Sequence, residues 1–449
     1  MKIEDIEVYD LVGIGFGPSN LSLAAAIEER DAGAGLRTLF LEQKPEFAWH
    51  PHMLLDDTVM QISFLKDLVT QRNPESRFTF VNYLKSHGRL NDFINLKNFY
   101  PTRVEFNLYM AWVAERLKKY VHYGCSVVQV SNAARAAKRW AEVCYLDHAS
   151  GETQRVLARN LVVAVGGSPK LPAALQVKDD SERVWHSSQY LKQMAGLGPT
   201  APGHRFVVIG RGQSAAEIAH DLHGRYPEAL VTCLFRGYGL KPADSSEFVN
   251  GIFDSAFVDD ISSAPPHLRD KIFADHLDTN YSVVDAPLIT RLFEIQYRER
   301  VGGQVRLKFK NFSQALRITE SERGVQIVCE DGRTGREETL EADTVVMATG
   351  YVYPNPPKVL AGIVKDFDLD PQSQRPQVNR NYRAAMKQGV GYGVYLQGCN
   401  EATHGLSDTL LSNLSIRAGE ILEELLNEQL AARARSCAEP EGRQVSMAT

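Results

Sequence analysis

Cysteine is scarce in this chain. Six cysteines among 449 residues (Cys125, Cys144, Cys233, Cys329, Cys399 and Cys437) form no CxxC pair and no metal-type spacing with histidine. That excludes zinc ribbons and dithiol redox motifs, and the expectation is a reduced, cytoplasmic protein. Long apolar runs are missing as well. None reaches the ~18 residues a membrane span needs, and MKIEDIEVYDLVGIG is acidic where a signal peptide is basic. Nor is there an excess of one charge. Fifty basic and 55 acidic side chains leave a net charge of −5, so no basic field invites nucleic acid. The rest is ordinary for a globular protein: 44% hydrophobic and 23% charged residues, with length for about two or three domains.

What is present is a repeated order of strand, glycine-rich turn and helix. VYDLVG (Val8–Gly13) leads into the helical LSLAAAIEER, and RFVVIG (Arg205–Gly210) leads into RGQSAAEIAHDLHGRY. Two more strands, LVVAVGG (Leu161–Gly167) and TVVMATG (Thr344–Gly350), also end on glycine. This spacing predicts an α/β chain with two Rossmann-like dinucleotide-binding domains. Alternation from Val305 to Glu341, with Asp331-Gly332 as a corner, predicts an inserted antiparallel meander. Amphipathic helices are predicted over Val104–Tyr120 and Asp408–Leu430, and a flexible tail over 431–449.

The turns carry the chemistry. Gly13-Ile14-Gly15-Phe16-Gly17-Pro18 reads as GxGxxP, with Gly13 for the tight turn and Gly15 for close approach to a pyrophosphate at a helix N-terminus. Glu42 ends the next strand, where a carboxylate accepts ribose hydroxyls. The competing reading is a glycine-rich turn that holds nothing. Gly210-Arg211-Gly212-Gln213-Ser214-Ala215 is GxGxxA, and its following strand ends in Arg236 instead of an acid. Arginine accommodates the 2′-phosphate of NADP, with Lys241 adding positive charge; the alternative is a strand end solvated by arginine. Two such turns point to FAD and NADPH on separate folds. With no redox cysteine pair, disulfide reduction is excluded.

Further motifs support a family resemblance. MQISFLKDLVTQRNP (Met60–Pro74), NFYPTRVEF (Asn98–Phe106), GQSAAE (Gly212–Glu217), FVNGIFD (Phe248–Asp254), DTNYSVVD (Asp278–Asp285), ATGY (Ala348–Tyr351) and HGLSDTLLSNLSIRAGEI (His404–Ile421) occur in that order. Together they resemble the siderophore N-hydroxylating monooxygenases, above all the L-ornithine side-chain N-hydroxylases. The resemblance implies FAD, NADPH and O2 as reactants, a flavin C4a-hydroperoxide, and N-hydroxyornithine for hydroxamate siderophores or related natural products. It implies that Lys66 holds the amino-acid carboxylate, that Asn250 and Asn280 bind the head group and line the amine channel, and that Ser412 contacts substrate near the flavin. Gln61 and Asn280 are the implied catalytic positions. Trp49, His50, Gln61, Thr349, Gly350 and Leu411 join the first glycine turn at FAD. Loop capping is the competing reading for both asparagines. His50 and His52 form one HxH with no third ligand nearby, so no metal is expected.

The implied division is an FAD domain over 1–170 and 340–430, an NADPH domain over 171–243 and 303–340, and a mainly helical substrate region over 244–302. L-lysine or a diamine as substrate, and a flavin redox sensor without turnover, are the alternatives. Monomer and homo-oligomer both remain open, with L-ornithine the expected small-molecule partner.

Overall fold

The computed structural model describes residues 3–438 apart from 31–34, 136–137, 179 and 199–202. Two five-stranded parallel sheets organise it. The first runs Gly393–Leu396, Asn160–Val163, Leu11–Ile14, Thr38–Glu42, Val121–Tyr123 in spatial order. The second runs Val184–His186, Thr344–Met347, Arg205–Ile209, Leu230–Leu234, Leu307–Lys310. Central strands are apolar at consecutive positions because both faces are covered. On the first sheet, Phe40 and Val162 face helices Pro18–Arg30, Arg103–Arg116 and Leu414–Ala438. Val12, Leu39 and Leu161 face the antiparallel strands Cys125–Arg135, Lys138–Asp147 and Thr153–Ala158. The second sheet repeats the plan. Phe206 and Val231 meet helix Gln213–Arg225, and Val207 and Val345 meet the meander Ser313–Ser321, Gly324–Asp331, Arg336–Ala342.

Three boundaries differ from the sequence reading. VRLKF is not the start of the meander: Leu307–Lys310 is parallel to Leu230–Leu234, and the antiparallel ladder begins at Ser313. Thr344–Met347, assigned above to the FAD domain, lies in the second sheet between Val184–His186 and Arg205–Ile209. The chain re-enters the first unit after Gly350, through the two-stranded link of Tyr351–Val352 with Ser168–Pro169. The region 244–302 is mainly helical as expected, but its last helix, Ala286–Gly302, buries Leu288 and Leu292 in the core of the second unit.

The helices are shifted for local reasons. Arg103–Arg116 starts where the Thr102 side chain accepts a hydrogen bond from the Glu105 backbone N–H, an N-cap. Asp408 does not begin a long helix. It sits in the turn Leu406–Thr409, fully buried, accepting from the Asn400 backbone N–H at 2.6 Å and pairing with buried Arg417 at 3.2 Å. The helix starts at Leu414 and continues to Ala438, into the stretch read as a tail; residues 439–449 lie outside the described residues.

Arg417 also donates to the Asp408 carbonyl (2.7 Å) and to Ser19 Oγ (3.1 Å), so it ties the C-terminal helix to the first glycine turn. Removing one partner of a buried pair costs about 3–5 kcal/mol. Arg417→Ala is therefore expected to lower unfolding free energy by that amount in denaturant titration. A loss below ~1 kcal/mol would mean the pair is dispensable.

Candidate active site

The two glycine turns superimpose in register, and this corrects the reading of the first. Gly15 N–H donates to the Leu41 carbonyl (2.9 Å) and Ala164 N–H to the Ile14 carbonyl (2.9 Å). Gly210 N–H donates to Leu234 (3.1 Å) and Ala348 N–H to Ile209 (2.9 Å) in the same pattern. Gly15 and Gly17 thus correspond to Gly210 and Gly212, and the first fingerprint is GxGxxN over 15–20. Gly13 is not the turn glycine. It lies inside Leu11–Ile14, where a Cβ would strike the Phe40 ring. Gly15 takes φ 84°, and a Cβ there would lie 2.6 Å from the Ala164 carbonyl oxygen; Gly210, at φ 144°, presses equally on the Ala348 carbonyl.

The first turn is built to receive an anion. A Cβ on Gly17 would meet nothing within 4 Å, so the space before the N-terminus of Pro18–Arg30 is open, and the first turn of that helix carries no acid. At the third fingerprint position Asn20 is buried and braces the turn by donating to the Gly15 carbonyl at 2.7 Å. Glu42 is buried at the strand end, accepting from Phe16 N–H (2.7 Å) and Lys44 N–H (3.0 Å). Four buried atoms of the adjoining C-terminal segment, Gln397 Oε1, Asn413 Oδ1, Ser415 Oγ and Arg417 Nε, have no partner among the described residues. Open cradle, strand-end carboxylate and unpartnered polar atoms together fit a dinucleotide such as FAD. Ser412 is buried and Leu411 half-buried just before the helix Leu414–Ala438.

An aromatic wall joins the units. Trp49, His50, Tyr351 and His186 follow one another edge to face, with centroids 5.4, 5.8 and 5.2 Å apart. His50 opens to solvent through the cleft yet is recessed in it. Dehydration there, then the charges of Arg103 and Lys44, lowers its pKa to about 4 and keeps the ring neutral. Thr349 and Gly350 serve the link between units. Thr349 Oγ1 donates to the Lys170 carbonyl, and the Gly350 carbonyl accepts from Lys170 N–H (2.9 Å) and His186 Nε2–H (3.0 Å).

At the second turn, Gly212 caps Gln213–Arg225 and Ser214 follows half-buried in its first turn. In strand register Phe235 stands where Glu42 stands in the first unit, and exposed Arg236 comes one residue later. No ribose-selecting acid occupies that strand end, and the guanidinium is free to meet a phosphate. Lys241 is less available, since it pairs with Asp278 at 2.7 Å.

Lys66 is a half-buried cation on the loop before Asp67. It keeps 27% of its side-chain surface and faces Asp254 at 3.8 Å. Asn250 closes its own turn by donating to the Ser245 carbonyl (2.9 Å), as the capping alternative had it. Asn280 ends the short helix Leu277–Asn280 and has no side-chain hydrogen-bond partner among the described residues. Gln61 does not stand alone. Its Nε2 donates to Asp285 (2.9 Å), Gln213 Nε2 donates to Asp285 (3.0 Å) and to Glu217 (2.8 Å), and Arg103 donates to Glu217 (2.9 Å). Asp285, Glu217 and Arg103 went unread in the sequence. The i,i+4 pair Gln213/Glu217 within GQSAAE was the available signal. Tyr281, whose hydroxyl donates to Glu401, was also missed. Among the described residues, no three His, Cys, Asp or Glu side chains are grouped to hold a metal.

Comparison with known proteins gives consistent matches. The family model for L-lysine 6-monooxygenase/L-ornithine 5-monooxygenase matches residues 7–353. The L-ornithine N(5)-monooxygenase of Pseudomonas aeruginosa is 39% identical over 95% of this chain and 96% of its own. The solved ornithine N-hydroxylase of Kutzneria sp. 744, with reduced FAD, NADP+ and L-ornithine, is 38% identical, covers 94% of this chain and 100% of its own, and superimposes with a TM-score of 0.90. The solved L-lysine 6-monooxygenase of Pseudomonas syringae is 30% identical, covers 93% of this chain and 99% of its own, with a TM-score of 0.82.

Arg236→Ala is expected to raise the KM for NADPH about tenfold or somewhat more, the worth of one charge-assisted contact, and to leave that for NADH nearly unchanged. Steady-state oxidation of both cofactors measures it. An unchanged NADPH/NADH ratio would remove Arg236 from the 2′-phosphate site.

Proposed function

The chain belongs to the L-lysine 6-monooxygenase/L-ornithine 5-monooxygenase family, and from that premise we propose that it is an FAD- and NADPH-dependent monooxygenase that hydroxylates the side-chain amine of L-ornithine. The overall reaction takes R–NH2, O2, NADPH and H+ to R–NHOH, H2O and NADP+. One observation carries the reading most: two glycine turns share one hydrogen-bond register, the first open before its helix and the second tied through Gln213 and Asp285 to Gln61. Ornithine is favoured over lysine because likeness to the ornithine enzymes exceeds likeness to the lysine enzyme in identity and in superposition.

FAD, when bound, supplies the relay of two electrons from NADPH and the activation of O2. The chain's residues do the rest. Lys66 Nζ is set to hold the ornithine carboxylate. Its 3.8 Å contact with Asp254, itself largely exposed, is longer than a charge-assisted hydrogen bond, so a substrate carboxylate can take the ammonium over. Asn280 offers an uncommitted amide to orient the amine, which must be neutral to attack as a nucleophile. In the wall of Trp49, His50 and Tyr351, a neutral His50 adds no charge to repel an approaching amine.

Mass-spectrometric detection of hydroxylamine product, with ornithine, lysine and putrescine side by side, tests the reading. N-hydroxyornithine should dominate; preferential turnover of lysine or putrescine would overturn it. Lys66→Ala should raise the KM for ornithine more than it lowers kcat, because a carboxylate contact far from the reacting nitrogen is made equally in ground and transition states. Lys66 is reached by solvent, so the loss is that of one charge-assisted bond, about 1.5–3 kcal/mol or at least about tenfold. Putrescine, lacking a carboxylate, should lose little in the variant. Equal losses for the two amines would assign Lys66 to the fold. Asn280→Ala should leave NADPH oxidation largely intact while a larger share of it appears as H2O2. If reduction slows as much as hydroxylation, Asn280 belongs to the nicotinamide site.

A further inference from the structure

Asp285 occupies the N-cap of helix Ala286–Gly302, yet its carboxylate makes no capping hydrogen bond. An aspartate there normally accepts from the first-turn amides, a contact of typically about 1 kcal/mol. Here both oxygens turn away from the helix. Oδ1 accepts from Gln61 Nε2 (2.9 Å), which belongs to the first unit, and Oδ2 accepts from Gln213 Nε2 (3.0 Å), the first helical residue after the second glycine turn. The Asp285 backbone N–H donates to Gln213 Oε1 at 2.9 Å, so one residue grips that amide at both ends. Gln213 is backed by buried Glu217, and Glu217 by Arg103 of the first unit. The chain of contacts thus leaves the first unit at Gln61 and returns to it at Arg103.

The segment just before Asp285 lies across the second turn. Ser282 takes φ 59°, and its Cα is 3.7 Å from where a Gly212 Cβ would stand. Val284 N–H donates to the Lys241 carbonyl (2.9 Å), and Ala243 N–H donates to the Val284 carbonyl (3.2 Å). Asn280 begins this segment. Whatever fixes Asp285 therefore fixes the distance between Asn280, Gln61 and the second turn.

We propose that Asp285 is a positioning residue for the monooxygenase reaction, its carboxylate clamping Gln61 to Gln213 so that the segment bearing Asn280 is held over the second turn. The proposal rests on the functional reading above for the reaction it serves, but its first readout, NADP+ binding, does not.

Asp285→Ser and Asp285→Asn in the FAD-loaded enzyme test it. Serine caps a helix as well as aspartate but reaches neither glutamine. Asparagine keeps one oxygen for Gln213, and Gln61 can turn its amide to accept from the new N–H. D285S is expected to melt at or near the wild-type temperature, to bind NADP+ about tenfold more weakly, and to release a larger share of oxidised NADPH as H2O2. D285N is expected to stay within about threefold of wild type in both. A D285S enzyme with wild-type NADP+ affinity, or a D285N enzyme as impaired as D285S, would overturn the clamp. Should D285S fail to retain FAD, D285A with the same readouts decides. A wild type that binds NADP+ but makes no hydroxylamine from ornithine would sink the functional reading and leave the binding comparison standing.

Discussion

The structure depends on one close approach made twice. At Gly15 and again at Gly210 the chain turns so tightly from strand to helix that the glycine lies against a carbonyl oxygen of the neighbouring strand's end, Ala164 in one unit and Ala348 in the other. No side chain fits there. The turn also aims a helix N-terminus outward along the strand ends, where backbone N–H groups receive a pyrophosphate. Because both turns use the same hydrogen-bond register, the two units are copies of one architecture, each with helices on one face of its sheet and an antiparallel meander on the other. Further contacts join the two units.

Beside the aromatic wall and the packing of Met53 and Leu55 into the second core, two polar devices do so. On one side the short ladder of Ser168–Pro169 with Tyr351–Val352 carries the chain between units, braced by the Thr349, Gly350 and His186 contacts. On the other, side chains alone span the gap, from Gln61 through Asp285, Gln213 and Glu217 to Arg103. The first is backbone pairing and tolerates little displacement. The second is made of side-chain hydrogen bonds, partly reached by water, each of modest net worth. It is the more adjustable of the two, and it touches the segment that carries Asn280.

The surroundings of Lys66 are correspondingly loose. Lys66 and Asp254 hold each other at ion-pair range without a hydrogen bond, and the helices over 244–302 anchor to the C-terminal segment through Tyr281–Glu401 and Arg380–Asp259. A cation with a distant partner on an exposed loop is suited to exchange that partner for a ligand. A cation sealed in the core would be committed to it.

Much was readable from sequence because it rests on local rules. A glycine turn between an apolar strand and a helix needs only neighbours in the chain, so both strand–turn–helix units, the α/β class and the absence of a strand-end acid before Arg236 were legible. Motif order then carried the family. Other features depended on partners far away. LVVAVGG and TVVMATG read alike, yet one pairs in the first sheet and the other in the second, since parallel pairing is decided by strands over a hundred residues apart. Gly13 read as the turn glycine, but Phe40 fills the space over it and Gly15 makes the turn. Lys66 found its anion in Asp254, and Asp285, unread in the sequence, found Gln61 and Gln213. Sequence by itself determined what kinds of site this protein has, because conformational needs of glycine and the chemistry of charged side chains are intrinsic to the residues. Tertiary structure alone decided which groups face each other across the cleft, because a hydrogen bond or an ion pair exists only where folding brings both partners within reach.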